Sequence, residues 1–326
     1  MLNDLKFVAG AVAKKDFVPA LTFFRIKNGH IYGFNGTLAI STPTDLAVTA
    51  IPKATSFIKA VEKLPDDKQV VLNLTAAGKL SVKSGNFRAY VECLADDAAF
   101  PEVEPEGATT LLPGGLLPIF DKLKPFMGID ASRPWSRGIL MRGQSAFATN
   151  NIVLIQHWLP FVFPIEVTLP ADAINEILRI GVEPISVQAA ERSVTFHYPD
   201  GSWLRTAFAT DAWPDLSRVL DNPSAPRSFA PGFFDGLNRL SAFAGKEKGD
   251  RLYLRGGTIA TSPHEDDGAA VDFEDFGGVG CHFLSQMTKL DGIATTIDFS
   301  LFPGPCLFFG DMLRGAIIGL RMGDAN

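Results

Sequence analysis

Cysteine is scarce in these 326 residues, with three in all: Cys93, Cys281 and Cys306. They lie far apart and make no C-x-x-C pair. An odd, sparse set excludes a disulfide framework and a cysteine-built zinc site, and leaves three small apolar core residues. No apolar run reaches the ~20 residues that span a bilayer. The opening Met1-Leu2-Asn3-Asp4 has an acid and no basic stretch, so a secretory signal is not expected and the cytoplasm is the default compartment. Catalytic signatures are equally thin. There is no G-x-S-x-G elbow. Gly277-Gly278-Val279-Gly280 lacks the Lys-Ser/Thr and the spacing of a phosphate loop, and reads as a turn before the last helix. His264-Glu265-Asp266-Asp267 has no second histidine at helical spacing and reads as a solvated loop. The five histidines have no evident Ser or Cys partner in sequence. No catalytic residue, metal or cofactor is expected.

Gly and Pro are plentiful, at 30 and 22, and they punctuate short Val-, Ile-, Phe- and Tyr-rich runs. These runs predict strands at 30–35, 68–75, 79–83, 87–94, 139–142, 165–169, 185–188, 193–198, 203–210, 251–255, 295–301, 305–309 and 315–322. A 3.6-residue period predicts helices at Pro52–Leu64, Leu116–Phe126, Ala171–Ile180 and Phe233–Ala244. The fold class is α+β, rich in β.

A repeat underlies the pattern. An amphipathic helix, a Gly or Pro stop and a β-run occur at Ile51–Pro65 with Gln69–Leu74, at Leu169–Gly181 with Ile185–Gln188, and at Val279–Gly292 with Thr295–Leu301. The spacing of roughly 110–120 residues is domain-sized. A second correspondence pairs Leu80–Val103 with Val194–Val219, ending in Phe100-Pro101-Glu102 and Trp213-Pro214-Asp215. Three domains are implied, at 1–105, 106–226 and 227–326, with Pro101–Gly107 and Asp221–Arg227 as linkers.

Ile51-Pro52 through Leu64-Pro65, LSVKSGNFRAYVECL with Phe100-Pro101, Ala148-Thr149-Asn150, Trp213-Pro214-Asp215-Leu216-Ser217-Arg218-Val219-Leu220 and the closing Ala316–Met322 occur in one order. In that order and spacing the chain resembles the bacterial β sliding clamps, in a divergent form such as a phage encodes. The resemblance implies a DNA clamp fold of three repeated domains, each with two helices and two antiparallel sheets. It implies a head-to-tail homodimeric ring in which twelve helices line the hole and sheets join edge to edge. The implied function is a non-catalytic processivity factor that encircles double-stranded DNA without reading sequence and tethers polymerase and clamp loader through short peptide motifs.

The charge placement fits such a ring. The net charge of −6 argues against a uniformly basic DNA binder. The six candidate pore segments, 1–15, 51–65, 113–128, 169–181, 231–248 and 279–292, together carry +5, which leaves −11 elsewhere. Their basic residues are Lys6, Lys14, Lys15, Lys53, Lys59, Lys63, Lys122, Lys124, Arg179, Arg239, Lys246, Lys248 and Lys289. They are the expected phosphate contacts. Lys59 and Lys63, four apart, sit opposite Phe57, Val61 and Leu64. Solvated lysines explain any single one of these as well.

The resemblance also implies a peptide pocket formed by Thr149, Asn151, Leu154, Pro214, Arg218, Val219, Ile318, Leu320, Arg321 and Met322. Here the sequence departs from the family. Thr-Asp-Gly-His-Arg-Leu becomes Thr149-Asn150-Asn151-Ile152-Val153-Leu154, and Met-Pro-Met-Arg-Leu becomes Ile318-Gly319-Leu320-Arg321-Met322 with a tail to Asn326. Two other readings compete: a β-rich phage structural or assembly ring protein, and a hydrolase with a site assembled in space.

Overall fold

A computed structural model describes residues 1–65, 69–95, 100–208, 211–244, 250–274 and 277–321. In chain order the strands are β1 (Arg25–Lys27), β2 (His30–Phe34), β3 (Leu38–Pro43), β4 (Val71–Leu74), β5 (Lys79–Ser84), β6 (Phe87–Glu92), β7 (Ala108–Leu111), β8 (Gly138–Arg142), β9 (Ser145–Thr149), β10 (Val153–Trp158) and β11 (Val167–Pro170). They continue with β12 (Ser186–Ala189), β13 (Ser193–His197), β14 (Trp203–Ala207), β15 (Arg227–Ser228), β16 (Arg251–Gly256), β17 (Thr258–Ala260), β18 (Ala270–Asp272), β19 (Gly278–Phe283), β20 (Thr296–Ile297), β21 (Cys306–Gly310) and β22 (Leu313–Ile317). The helices are α1 (Leu2–Val8), α2 (Ala54–Glu62), α3 (Leu116–Leu123), α4 (Ala171–Ile180), α5 (Ser217–Leu220), α6 (Phe233–Ser241) and α7 (Leu284–Thr288).

The chain forms two compact units, Met1–Leu117 with Asp172–Ala209, and Pro118–Ala171 with Thr210–Asn326. The first unit holds a seven-stranded sheet, β1-β2-β3-β14-β13-β12-β7, and a three-stranded sheet, β4-β5-β6. The second holds an eight-stranded sheet, β11-β8-β9-β10-β22-β21-β20-β15, and a four-stranded sheet, β18-β17-β16-β19. All pairings within them are antiparallel, and the large sheets run through the expected repeat boundaries. Antiparallel pairing sets Trp203 opposite Ser41 in one, and Val153 opposite Ile317 in the other. Backbone hydrogen bonding therefore joins strands from either side of those boundaries, and each large sheet is the body of its own unit.

In the first unit α1 packs on β2 and β3 and against α2. Close approach requires Gly33 in β2, where a Cβ would lie 2.9 Å from Val8 Cγ1. Phe57, Ala60 and Val61 bury one face of α2, as the 3.6-residue period predicts. Ala173, Ile174 and Ile177 do the same for α4. The Pro101–Gly107 segment is fastened to the seven-stranded sheet. Tyr32 Oη accepts from Val103 N–H at 2.9 Å, Arg25 pairs with Glu102, and Arg205 pairs with Glu106 at 3.3 Å. Burial lifts the Tyr32 phenol to about 12.

Several expected elements differ. Residues 279–283 lie in strand β19, and the helix is the shorter α7, so the glycine run opens a strand. The 295–301 run is two residues of β20 and then a 3-10 turn at Phe299–Leu301, capped by the Asp298 carboxylate, which accepts from Ser300 N–H. The last strand ends at Ile317, and β1, β3, β7, β9, β10, β15, β17 and β18 join the predicted set. Lys68, Lys246, Lys248 and Met322 lie outside the described residues.

His282 and Cys306, which no spacing in the sequence pairs, come together in space. Both are fully buried, with Cys306 Sγ 3.9 Å from His282 Nε2. His282 Nδ1–H donates to the Ile318 carbonyl at 3.1 Å. Burial pushes the imidazole down to about 4 and the thiol up to about 12, so both are neutral near pH 7. The pair thus carries no thiolate and instead anchors the segment after β22. A histidine held neutral below its free value lets the unfolded chain bind the extra proton. Stability is therefore full above pH ~6.5, falls as pH drops from ~6.5 towards about 4, and levels off below. The loss expected from this group is about 3 kcal/mol. Urea unfolding across that window should show the slope, and His282→Gln should flatten it; an unchanged slope contradicts the assignment.

Candidate peptide cleft and basic helix faces

The β9–β10 turn builds one wall of a cleft in the second unit. Thr149 Oγ1 donates to Val153 O at 2.8 Å and accepts from Asn151 N–H at 3.0 Å. Asn150 Oδ1 accepts from Ile152 and Val153 N–H, and its Nδ2 donates to Gln286 Oε1 at 2.7 Å. Asn151 takes a φ of 70°, a conformation that asparagine tolerates better than most side chains. It stands where the family pattern has glycine.

The opposite wall is the Pro214–Val219 segment. Asp215 accepts from Ser217 Oγ and N–H at 2.6 and 3.1 Å, which holds its carboxyl below the usual range. Leu216 and Leu220 join Leu140, Phe147, Leu154, Leu307 and Ala316 in the core beneath. Trp135 closes one end. It meets Trp213 edge-on at 5.1 Å, and Trp213 Nε1–H donates to Thr168 Oγ1 at 2.8 Å. The resulting cleft encloses about 200 Å³ and is lined mostly by apolar groups. Such a surface accepts Leu or Phe anchors, with few polar groups to fix direction.

Six of the ten expected pocket residues line it: Thr149, Asn151, Leu154, Pro214, Val219 and Ile318. Arg218 does not. It is exposed and paired with Asp215 at 3.5 Å, because the α5 turn points it away. Leu320 and Arg321 also fall outside the lining, since β22 ends early and Leu320 N–H donates to Cys281 O at 2.7 Å. Trp135, Ile152, Val153, Asp215, Leu216, Pro305 and Ala316 were missed. Ile152 could have been found from its place in the turn. Trp135 could not, since only its contact with Trp213 brings it in.

The basic residues divide. In the first unit Lys59 and Lys63 are exposed on α2 with no ion pair among the described residues. Lys6 on α1 is exposed and reaches Glu62 at 3.4 Å. Lys53 is half-buried, 6.0 Å from the centre of the Phe23 ring. Lys14 and Lys15 lie beyond the helical turns, in a loop and not on a pore helix as expected. Arg179 is a structural tie. It pairs with Glu176 at 2.6 Å and donates to the Lys6 and Phe7 carbonyls at 3.0 and 2.7 Å, ending α1. In the second unit Lys124 and Arg239 are exposed and Lys122 is half-buried. Lys289 donates to Pro125 O at 3.0 Å, and burial lowers its pKa. Arg179 and Lys289, expected as phosphate contacts, thus donate hydrogen bonds to main-chain carbonyls within their own units.

The backbone is similar to solved sliding clamps. The β sliding clamp of Caulobacter crescentus matches with a TM-score of 0.85 at 17% identity, over 98% of this chain and 96% of that one. The DNA polymerase sliding clamp of Pseudomonas aeruginosa gives 0.83 at 19%, over 98% and 97%. That of Bacillus subtilis gives 0.84 at 15%, over 98% and 96%. The fold is that of the β sliding clamps. No family model and no curated protein matches the sequence. Ile152 and Val153 stand where the resemblance implies a His-Arg pair, and among the described residues no Lys, Arg or His lines the cleft.

No helix among the described residues is long and apolar enough to cross a membrane. Among those residues no cluster of three His, Cys, Asp or Glu is placed to hold a metal.

Proposed function

We propose that this chain is a DNA sliding clamp. It encircles duplex DNA, performs no chemistry and tethers a polymerase and its loader through peptides seated in the Trp135–Ile318 cleft. The observation that carries the reading is a clamp fold spanning the whole chain together with an apolar cleft between the β9–β10 turn and the Pro214–Val219 segment. Of three repeats at 1–105, 106–226 and 227–326, the first supplies three strands of the seven-stranded sheet, the third four strands of the eight-stranded sheet, and the second four strands of each. The exposed lysines of the helices, Lys59 and Lys63 foremost, attract phosphates without reading bases.

The active form is a head-to-tail homodimer. β4 ends the three-stranded sheet and leaves Val71 and Leu74 exposed; β18 ends the four-stranded sheet. Pairing such edges between chains satisfies backbone groups that would otherwise invite aggregation. The site of action is the cytoplasm of a bacterium or of a phage-infected cell. A shell or tail-ring component is not favoured by this fold. Light scattering on the eluting protein should give twice 35.2 kDa. A monomer at micromolar concentration, or a larger assembly, contradicts the ring.

A further inference from the structure

The loop between α1 and β1 carries a feature that the helix lysines do not account for. Phe17 is wholly exposed, at 105% of its reference area. Hydrogen bonds shape the loop on both sides of it. Ala13 N–H donates to Leu21 O at 2.9 Å and closes the loop. Asp16 Oδ1 accepts from Val18 N–H at 2.8 Å and fixes the tip. Leu21 N–H donates to Val18 O at 3.1 Å, and Thr22 Oγ1 to Pro19 O at 2.8 Å. The ring stands clear of the fold at the tip of this loop, with exposed Lys14 and Lys15 beside it.

The loops after α3 and α6 also present an apolar tip. Ile129 is 94% exposed and Phe243 61%. Asp130 Oδ1 accepts from Ser132 N–H at 2.9 Å, the same turn device as at Asp16. An Asx turn therefore lies at both apolar tips, with Phe17 inside it and Ile129 just before it.

A flat aromatic face beside two cations matches one ligand chemistry well: a nucleobase for the ring and its flanking phosphates for the lysines. In an intact duplex the base faces are already stacked, whereas the template strand next to a primer end offers an open one. We infer that Phe17 stacks on an unpaired template base beside the duplex, while Lys14 and Lys15 pair with the adjoining phosphates. This inference rests on the clamp reading, and it makes the Phe17 loop a sensor of primer–template junctions.

The test uses the full-length protein and a labelled primer–template junction, titrated by anisotropy at several salt concentrations. Phe17→Ala should weaken junction binding about tenfold with an unchanged salt slope, since stacking releases no counterions. Lys14→Ala with Lys15→Ala should instead reduce the slope by about two. Phe17→Trp should keep the affinity and show emission quenching on addition of junction DNA, relative to the parent protein. On blunt duplex Phe17→Ala should behave as the parent does. Parental junction affinity for Phe17→Ala, or unquenched Phe17→Trp emission, overturns the inference. So does a Phe17→Ala defect confined to polymerase binding, which would mark a protein partner. Because Phe17 touches no core residue, the variant folds and each outcome is readable. If the parent protein is not retained on circular DNA, the clamp reading itself fails. If it is retained and Phe17→Ala matches it on the junction, only the Phe17 role falls.

Discussion

Ile318→Asp should abolish capture of a peptide carrying Leu and Phe anchors while leaving the protein folded and dimeric. Ile318 is 38% exposed in the free protein, so a carboxylate there remains hydrated until a peptide docks. Docking then strips water from an anion in a cleft that no Lys, Arg or His lines. That cost is several kcal/mol, enough for a hundredfold or greater loss of affinity. The main-chain carbonyl that His282 holds is untouched by the substitution. Titration calorimetry with the peptide and light scattering of the variant check both halves. Because the cleft lacks cations, parental peptide affinity should also change little with salt, unlike DNA affinity. Retained peptide binding by Ile318→Asp would place the tether elsewhere.

Phe308→Ala should be the most damaging single truncation in the second unit, at about 4 kcal/mol. Phe308 in β21 is fully buried and lies over Gly315 of β22, where a Cβ would come within 2.1 Å of Phe308 Cζ and 2.5 Å of Leu154 O. The glycine makes room for the ring, and the ring fills what the glycine leaves open. Removing the phenyl group opens a cavity behind the strand pairing of β10, β22 and β21. Gly315→Ala alone should also destabilise. Part of its clash vanishes once the ring is gone, so the double variant should cost less than the sum of the singles. Urea unfolding of the four proteins measures the coupling, and strict additivity would show that the two positions do not share space.

What the sequence makes legible follows from which physical signal each element leaves. α4 is predicted with its observed bounds because Pro170 precedes it, Gly181 follows it and Ile174 and Ile177 share a face. β3 and β10 leave no alternation to read. All six residues of Val153–Trp158 except the last are buried, as are the first five of Leu38–Pro43, because both strands lie inside wide sheets. β19 is hidden for a different reason. Glycines at 277, 278 and 280 look like punctuation, although Phe299 packs where a Gly278 side chain would be and Phe302 where a Gly280 side chain would be.

The site shows the same division. Thr149, Asn151 and Leu154 are found through the resemblance of this turn, where Asn151 takes the left-handed conformation. Arg218, Leu320 and Arg321 are misplaced because sequence order does not say where α5 turns or where β22 stops. Arg179 and Lys289 look like phosphate contacts until their carbonyl partners are seen. Trp135 depends on a 3-10 turn and a partner 78 positions away, which no local pattern encodes.

Topological retention tests the central claim most directly. Protein loaded on a nicked circular plasmid at moderate salt is followed by gel filtration before and after a restriction enzyme opens the circle. A clamp stays on the closed DNA for many minutes and is lost quickly through the ends once the plasmid is linear. Equal release rates from circular and linear DNA would contradict encirclement.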